Sequence, residues 1–398
     1  MRHAFEAWEL RGSGRFGRVR MEFRGEGKEW VVFREGRLWL DPGPGYRPLE
    51  VRACGICATD LARPRLPFPL PQVVGHEVLA AGDRGERLVV EINASHAARG
   101  IETDCPACRA GLGTHCPGRR VLGIQDLPGG FGRWILAPVR AVLEVPDSIG
   151  DGVACLIEPF AAALHAVETS PPREGERVAV LGPGRLGLLC LAALEAFRRE
   201  GDLDFEIQAW GRRESSRELA RRFGADRVLH PLEAGAVDLC FDTSGNPDAL
   251  PLALCLVERE VHLKSTHGRP SAGLSDPTAF VVAEHRILPL EEGERAPDGV
   301  PVLGGLGELE ERIGSSEDPL PPRTEIRIRG GSGPILSSSR CGDFRKALEL
   351  LDRDPLARER LASMPVRLLS ERDLPEAFQL ASSGEAVKVC VLQEGAEL

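Results

Sequence analysis

The sequence predicts a two-domain α/β protein: a mostly-β region followed by a parallel sheet flanked by helices. Two patterns carry this. Up to about residue 150 the chain is rich in Gly and Pro, with short β-type runs such as residues 30–33 and 87–92 and little helical periodicity. From Arg177 onward, apolar strands alternate with helices, the signature of a parallel sheet. The size agrees: 398 residues, 42% hydrophobic and 28% charged, have globular composition and the length of two or three domains.

The elements follow in order. Residues 159–169 are helix formers, and Pro171-Pro172 ends them. A strand at Arg177–Leu181 leads through a glycine turn into a long apolar helix, residues 186–197. A second strand (205–210) and helix (215–223) follow, then strands at 237–241 and 260–264. Residues 269–332, rich in Gly, Pro and Glu, show few clear elements and read either as an insertion with loops or as a rebuilt part of the sheet. The pattern recovers with helix 343–351, strand 365–369, helix 374–381 and a final strand, Lys388–Leu392.

Charge and hydropathy exclude whole classes of function. Fifty Lys and Arg stand against sixty Asp and Glu, a net charge of −10, with no basic run to hold nucleic acid or a membrane surface. Residues 1–10 lack the apolar core of a signal peptide. No window offers ~20 uninterrupted apolar residues; the stretch 178–197 is broken by Arg185 and glycines. The expectation is a cytoplasmic protein. Eleven cysteines are present, and five of them, Cys54, Cys57, Cys105, Cys108 and Cys116, cluster in the first third. Without an export signal, that spacing points to metal binding over disulfides.

The glycine turn reads Gly182-Pro183-Gly184-Arg185-Leu186-Gly187 between a strand and a helix. The first glycine permits the tight turn. The second lets backbone approach a pyrophosphate, and the third lets the helix sit close on the strand. The helix N-terminus then faces the phosphates. After the second strand, where NAD enzymes place an acid for the ribose hydroxyls, stands Gly211, followed by Arg212 and Arg213. Glycine removes the repelling carboxylate, and guanidinium suits forked phosphate recognition. NADP(H) is expected over NAD(H).

Two groups could hold metal. Cys57 sits in Ala53-Cys54-Gly55-Ile56-Cys57-Ala58-Thr59-Asp60, ahead of Gly75-His76-Glu77, and Glu158-Pro159 lies where the chain changes character. Thiolate, imidazole and carboxylate are all zinc ligands, and three of them with water make an open catalytic site. The second group is Cys105-x2-Cys108-x7-Cys116. A closed structural site needs a fourth donor; Glu102 and Asp104 precede it, and His96 and His115 are near.

Together these motifs, with Gly384-Glu385-Ala386-Val387-Lys388, resemble the zinc-dependent medium-chain dehydrogenase/reductase (alcohol dehydrogenase) superfamily. Leu263-Lys264-Ser265-Thr266 and Ser339-Arg340-Cys341-Gly342 resemble a less characterised branch of it. The Glu158-Pro159 motif is similar to polyol, sugar and threonine dehydrogenases. The resemblance implies a GroES-like catalytic domain from residues 1–168 and 339–398 and a Rossmann domain from residues 169–338, with the insertion at 269–332. It implies catalytic Zn2+ on Cys57 and His76, with Glu158 or Glu77 as third ligand, and Thr59 as proton relay. Gly182, Gly184, Arg185, Leu186, Gly187, Gly211, Arg212, Arg213 and Lys388 would bind cofactor. The family's lobe carries a fourth cysteine where this chain has Glu102, three residues before Cys105, so Glu102 is expected beside Cys105, Cys108 and Cys116 if the lobe holds zinc. The substrate would be a small-molecule alcohol, polyol or the matching carbonyl, and the assembly a homodimer or homotetramer. A zinc-free quinone or enoyl reductase of the same fold is one alternative. A catalytically silent zinc- and nucleotide-binding protein is another.

Overall fold

Alternation of buried and exposed side chains builds the N-terminal region. In a computed structural model, which describes residues 1–229, 237–291, 293–314, 320–331 and 333–396, strand Arg2–Leu10 pairs antiparallel with Phe16–Glu26. Phe5 faces Met21 and Ala7 faces Val19, all buried. Glu29–Arg34 and Arg37–Leu40 complete a four-stranded sheet. By contacts the chain divides into two units, residues 1–158 with 343–398, and residues 159–342.

The first unit centres on strand Tyr46–Gly55, which pairs antiparallel with Glu77–Ala81, Trp134–Pro138 and Lys388–Leu392. Cys390 lies opposite Gly55 and Val391 opposite Cys54. The chain's last strand thus completes a sheet begun more than 300 residues earlier, at Tyr46. A small three-stranded sheet holds Asn93–Ala94 antiparallel to Arg120–Leu122.

The second unit is a nine-stranded sheet. Arg177–Leu181 lies between Glu206–Trp210 and Val237–Asp242, parallel to both. Arg227–Leu229 extends the first side, and Val257–Leu263 then Ile335–Ser338 the second. The chain therefore reverses its direction of travel across the sheet at Arg177–Leu181, the switch point of a doubly wound fold. These central strands are largely buried on both faces, as parallel strands covered by helices must be.

Residues 269–332, which show few elements in sequence, are not a loop insertion where they are described. Helices Thr278–Ala283 and Leu306–Gly314 alternate with strands Arg286–Leu290, Val302–Leu303 and Glu325–Arg329. Arg286–Leu290 pairs antiparallel to Ile335–Ser338, and the other two strands add beyond it in parallel. Phe280, Val281, Ile287, Leu303, Leu309 and Ile326 share one apolar core with Ala179, Trp210 and Val261. No described helix is long and apolar enough to cross a membrane.

Candidate functional site

Cys57 stands at the N-cap of the short helix Ala58–Ala62. Its backbone N–H donates to Asp60 Oδ2 at 2.9 Å, the reciprocal half of a capping box. Asp60 is 1% exposed. Its other oxygen accepts from the Gly75 amide at 3.3 Å and lies 3.4 Å from His76 Nδ1. One buried carboxylate therefore fixes the helix start and lies beside the His76 ring. Burial opposes a charged His76, but Asp60 and the Cys57 sulfur outweigh it and hold the imidazole well above its ordinary value. Thr59 is half-buried on the same helix.

Glu77 and Lys388 meet each other. Glu77, offered as a third ligand, opens the strand Glu77–Ala81 and is ion-paired with the Lys388 ammonium; both side chains are 2% exposed. Lys388, expected at the cofactor, also donates to the Ile56 carbonyl at 3.3 Å. Its charge is spent inside the first unit, because a buried ammonium without its carboxylate is strongly unfavourable. Glu158 is the half-buried second residue of helix Ile157–Thr169. Among the described residues, no three of Cys57, His76, Glu77 and Glu158 have ligand atoms within 4.8 Å of one another.

The lobe is different. His96, Cys105, Cys108 and Cys116 do bring their ligand atoms within 4.8 Å of one another. His96 Nδ1 lies 3.2 Å from Cys116 Sγ and 4.0 Å from Cys108 Sγ, and Cys105 Sγ lies 3.9 Å from Cys116 Sγ. Zinc bonds of ~2.3 Å to sulfur and ~2.0 Å to nitrogen give tetrahedral edges of about 3.5–3.8 Å, so the four donors fit zinc. The Cys108 backbone amide holds the Cys105 thiol below its ordinary range. Glu102 is not the fourth donor: it is exposed, in coil before the Thr103 hydroxyl that accepts from the Cys105 amide. His96 takes the place because Ser95 caps its short helix and Asn93–Ala94 pairs with Arg120–Leu122, folding the start of the lobe onto Cys116. Gly118 makes room: a Cβ there would fall 2.7 Å from His96 Nε2.

The glycine turn sits at the switch point. Gly182 has φ +87° and donates to the Trp210 carbonyl at 3.0 Å. A Cβ on Gly187 would meet the Gly182 carbonyl at 2.3 Å, so this glycine seats the helix on the strand. Gly184, at the N-cap of helix Arg185–Glu200, faces open space within 4 Å. Arg185 and Leu186 form the first turn, half-buried. Gly211 is buried directly after strand Glu206–Trp210, and Arg212 and Arg213 are exposed. Sequence reasoning passed over Arg217, whose Nη1 donates to the Gly211 and Arg212 carbonyls at 3.1 and 3.0 Å. Its only signal was its place one turn into the following helix.

A β unit closed by the chain's C-terminal strand, joined to a doubly wound unit with a dinucleotide-type turn, defines a two-domain dehydrogenase fold. Residues 43–147 match the alcohol dehydrogenase GroES-like domain. The architecture, a GroES-like domain and a Rossmann domain, is that of the medium-chain dehydrogenase/reductase (alcohol dehydrogenase) superfamily, which the chain resembles. It is 28% identical over 239 residues to sorbitol dehydrogenase of Bacillus subtilis and 32% over 246 residues to L-threonine 3-dehydrogenase of Pyrococcus horikoshii. These matches span 53% and 54% of this chain and 65% and 66% of the relatives, just under two thirds of their length. A Sinorhizobium meliloti 1021 protein, described as a zinc-binding dehydrogenase and solved bound to NADP, shares the fold at 21% identity. Its TM-score is 0.61, over 98% of this chain and 99% of that one.

Proposed function

We propose that the chain is a zinc-dependent oxidoreductase that transfers hydride between NADP(H) and an alcohol or polyol, or the matching carbonyl. The observation that carries this reading is the Cys57, His76 and Asp60 arrangement: two zinc-type donors with a buried carboxylate 3.4 Å from the imidazole Nδ1. The relatives named as sorbitol and L-threonine 3-dehydrogenases support the oxidoreductase class. Cys57 and His76, with Glu158 as a further donor, would hold zinc, which would supply Lewis acidity towards a substrate oxygen, and a bound nicotinamide would supply the hydride chemistry.

The chain's own residues do the rest. Asp60 places a buried carboxylate beside the His76 ring. Thr59 accepts the proton of the substrate hydroxyl as it gives its own to water. The Gly182–Gly187 turn and the N-terminus of helix Arg185–Glu200 bind the pyrophosphate. Gly211 admits a 2′-phosphate, and Arg212 and Arg213 pair with it. His96, Cys105, Cys108 and Cys116 hold a second, structural zinc that ties the lobe together. The test is turnover of a panel of alcohols and polyols with NADP and NAD, alongside metal analysis. NADP-linked oxidation in zinc-loaded protein, lost in Cys57→Ser, is expected. Full turnover after removal of all zinc would overturn the proposal.

A further inference from the structure

The turn that follows strand Glu206–Trp210 is held in an unusual way. The helix Glu214–Arg222 begins at Arg213, which makes no side-chain cap, so no Ser, Thr, Asp or Asn fixes the entry. Instead Arg217, one turn inside the helix, reaches back towards the N-terminus. Its Nη1 donates to the carbonyls of both Gly211 and Arg212, at 3.1 and 3.0 Å. A guanidinium near a helix N-terminus works against the helix dipole. Glu214 offsets this by pairing with the same guanidinium. The stem of Arg217 also lies beside Gly211: a Cβ there would fall 3.6 Å from Arg217 Cγ and 2.9 Å from Pro183 Cγ. The turn is thus wedged between the proline of the glycine turn and the stem of Arg217. An acid at position 211 has no room unless Pro183 moves.

We infer that Arg217 is a positioning residue for cofactor discrimination: it braces the Gly211–Arg212 turn so that Arg212 and Arg213 present their charges to a 2′-phosphate. This rests on the proposed NADP(H) reading. Arg217 itself need not touch the phosphate, since the hydrogen bonds it makes to the turn are to backbone carbonyls. The brace acts on the one feature that separates the two cofactors, so its loss should weaken NADPH and spare NADH.

The experiment is fluorescence titration of the full chain with NADPH and with NADH, for wild type, Arg217→Ala, Arg217→Lys and Arg212→Ala/Arg213→Ala, with thermal unfolding of each as a fold control. Losing an ordered, charge-assisted contact weakens NADPH binding by about tenfold in Arg217→Ala and leaves NADH within about twofold. Arg217→Lys, with one point charge in place of the planar fork, restores part of the NADPH affinity. An equal loss for both cofactors in Arg217→Ala, or no loss, overturns the brace. So does a selective loss in Arg217→Ala when Arg212→Ala/Arg213→Ala changes nothing, since Arg217 would then bind the phosphate itself. A wild type that binds NADH as tightly as NADPH overturns the brace together with the cofactor reading beneath it. A wild-type preference for NADPH, lost only in Arg212→Ala/Arg213→Ala, overturns the brace alone.

Discussion

The two cysteine–histidine centres of the first unit use the same donor chemistry and differ in completeness. In the lobe, four donors from residues 96–116 lie within 4.8 Å of one another. At Cys57, the backbone amide and the His76 ring both adjoin a buried Asp60, and the carboxylate next in sequence, Glu77, is committed to Lys388. The difference is one of closure. A loop folded back by a single strand pair can complete a tetrahedron, as a structural site requires. A centre whose second donor comes from a separate coil segment, and whose neighbouring carboxylate is held elsewhere, would on the proposed reading leave coordination for a substrate.

The sharpest way to break this contrast is to remove donors from the open centre. Cys57→Ser and His76→Ala each cost turnover about a thousandfold, the several kcal/mol that a Lewis acid contributes. Thermal unfolding of the Rossmann unit stays in place. Turnover near wild type in either variant would put the chemistry somewhere else.

The claim that Glu77 is a structural partner and not a ligand is tested next. Lys388→Met leaves a buried carboxylate unpaired and destabilises by about 3–5 kcal/mol, read by chemical denaturation. The double variant Glu77→Gln/Lys388→Met recovers most of that and keeps its zinc. If Glu77→Gln alone releases a zinc, Glu77 is a ligand after all. Thr59→Val is a smaller perturbation. Loss of a proton relay lowers kcat by about a hundredfold, with metal content and KM for the cofactor unchanged.

How much of this was legible in the sequence depends on whether the cause is local. Strands Arg177–Leu181 and Lys388–Leu392 appear as read, and the helix after the first differs by only a few residues at its ends, because apolar runs and glycine punctuation are local signals. Residues 269–332 were illegible for physical reasons. The helix Thr278–Ala283 is six residues long, and strand Arg286–Leu290 contains Pro289, which argues against a paired strand. These short elements are held by the apolar core they share with the central sheet. The Cys57 and His76 donors were readable because each sits in its own motif, whereas the third ligand was not, since the Glu77–Lys388 pair forms across more than 300 residues. His96 was hidden for the same reason: it reaches Cys116 only once Asn93–Ala94 has paired with Arg120–Leu122.

The smallest expected effect belongs to Glu102. Glu102→Gln leaves the zinc content and unfolding temperature of the lobe unchanged, because the exposed carboxylate is not among the four clustered donors. Loss of one zinc in that variant would return the carboxylate to the ligand set.

Zinc content per chain, measured by mass spectrometry of the purified wild type, Cys57→Ser and His96→Ala, tests the contrast between the two centres most directly. The account predicts two zinc ions in the wild type and one in each variant, with the His96→Ala protein still able to turn over substrate and the Cys57→Ser protein unable to. A single zinc in fully active wild type, or an undiminished count in His96→Ala, would contradict it.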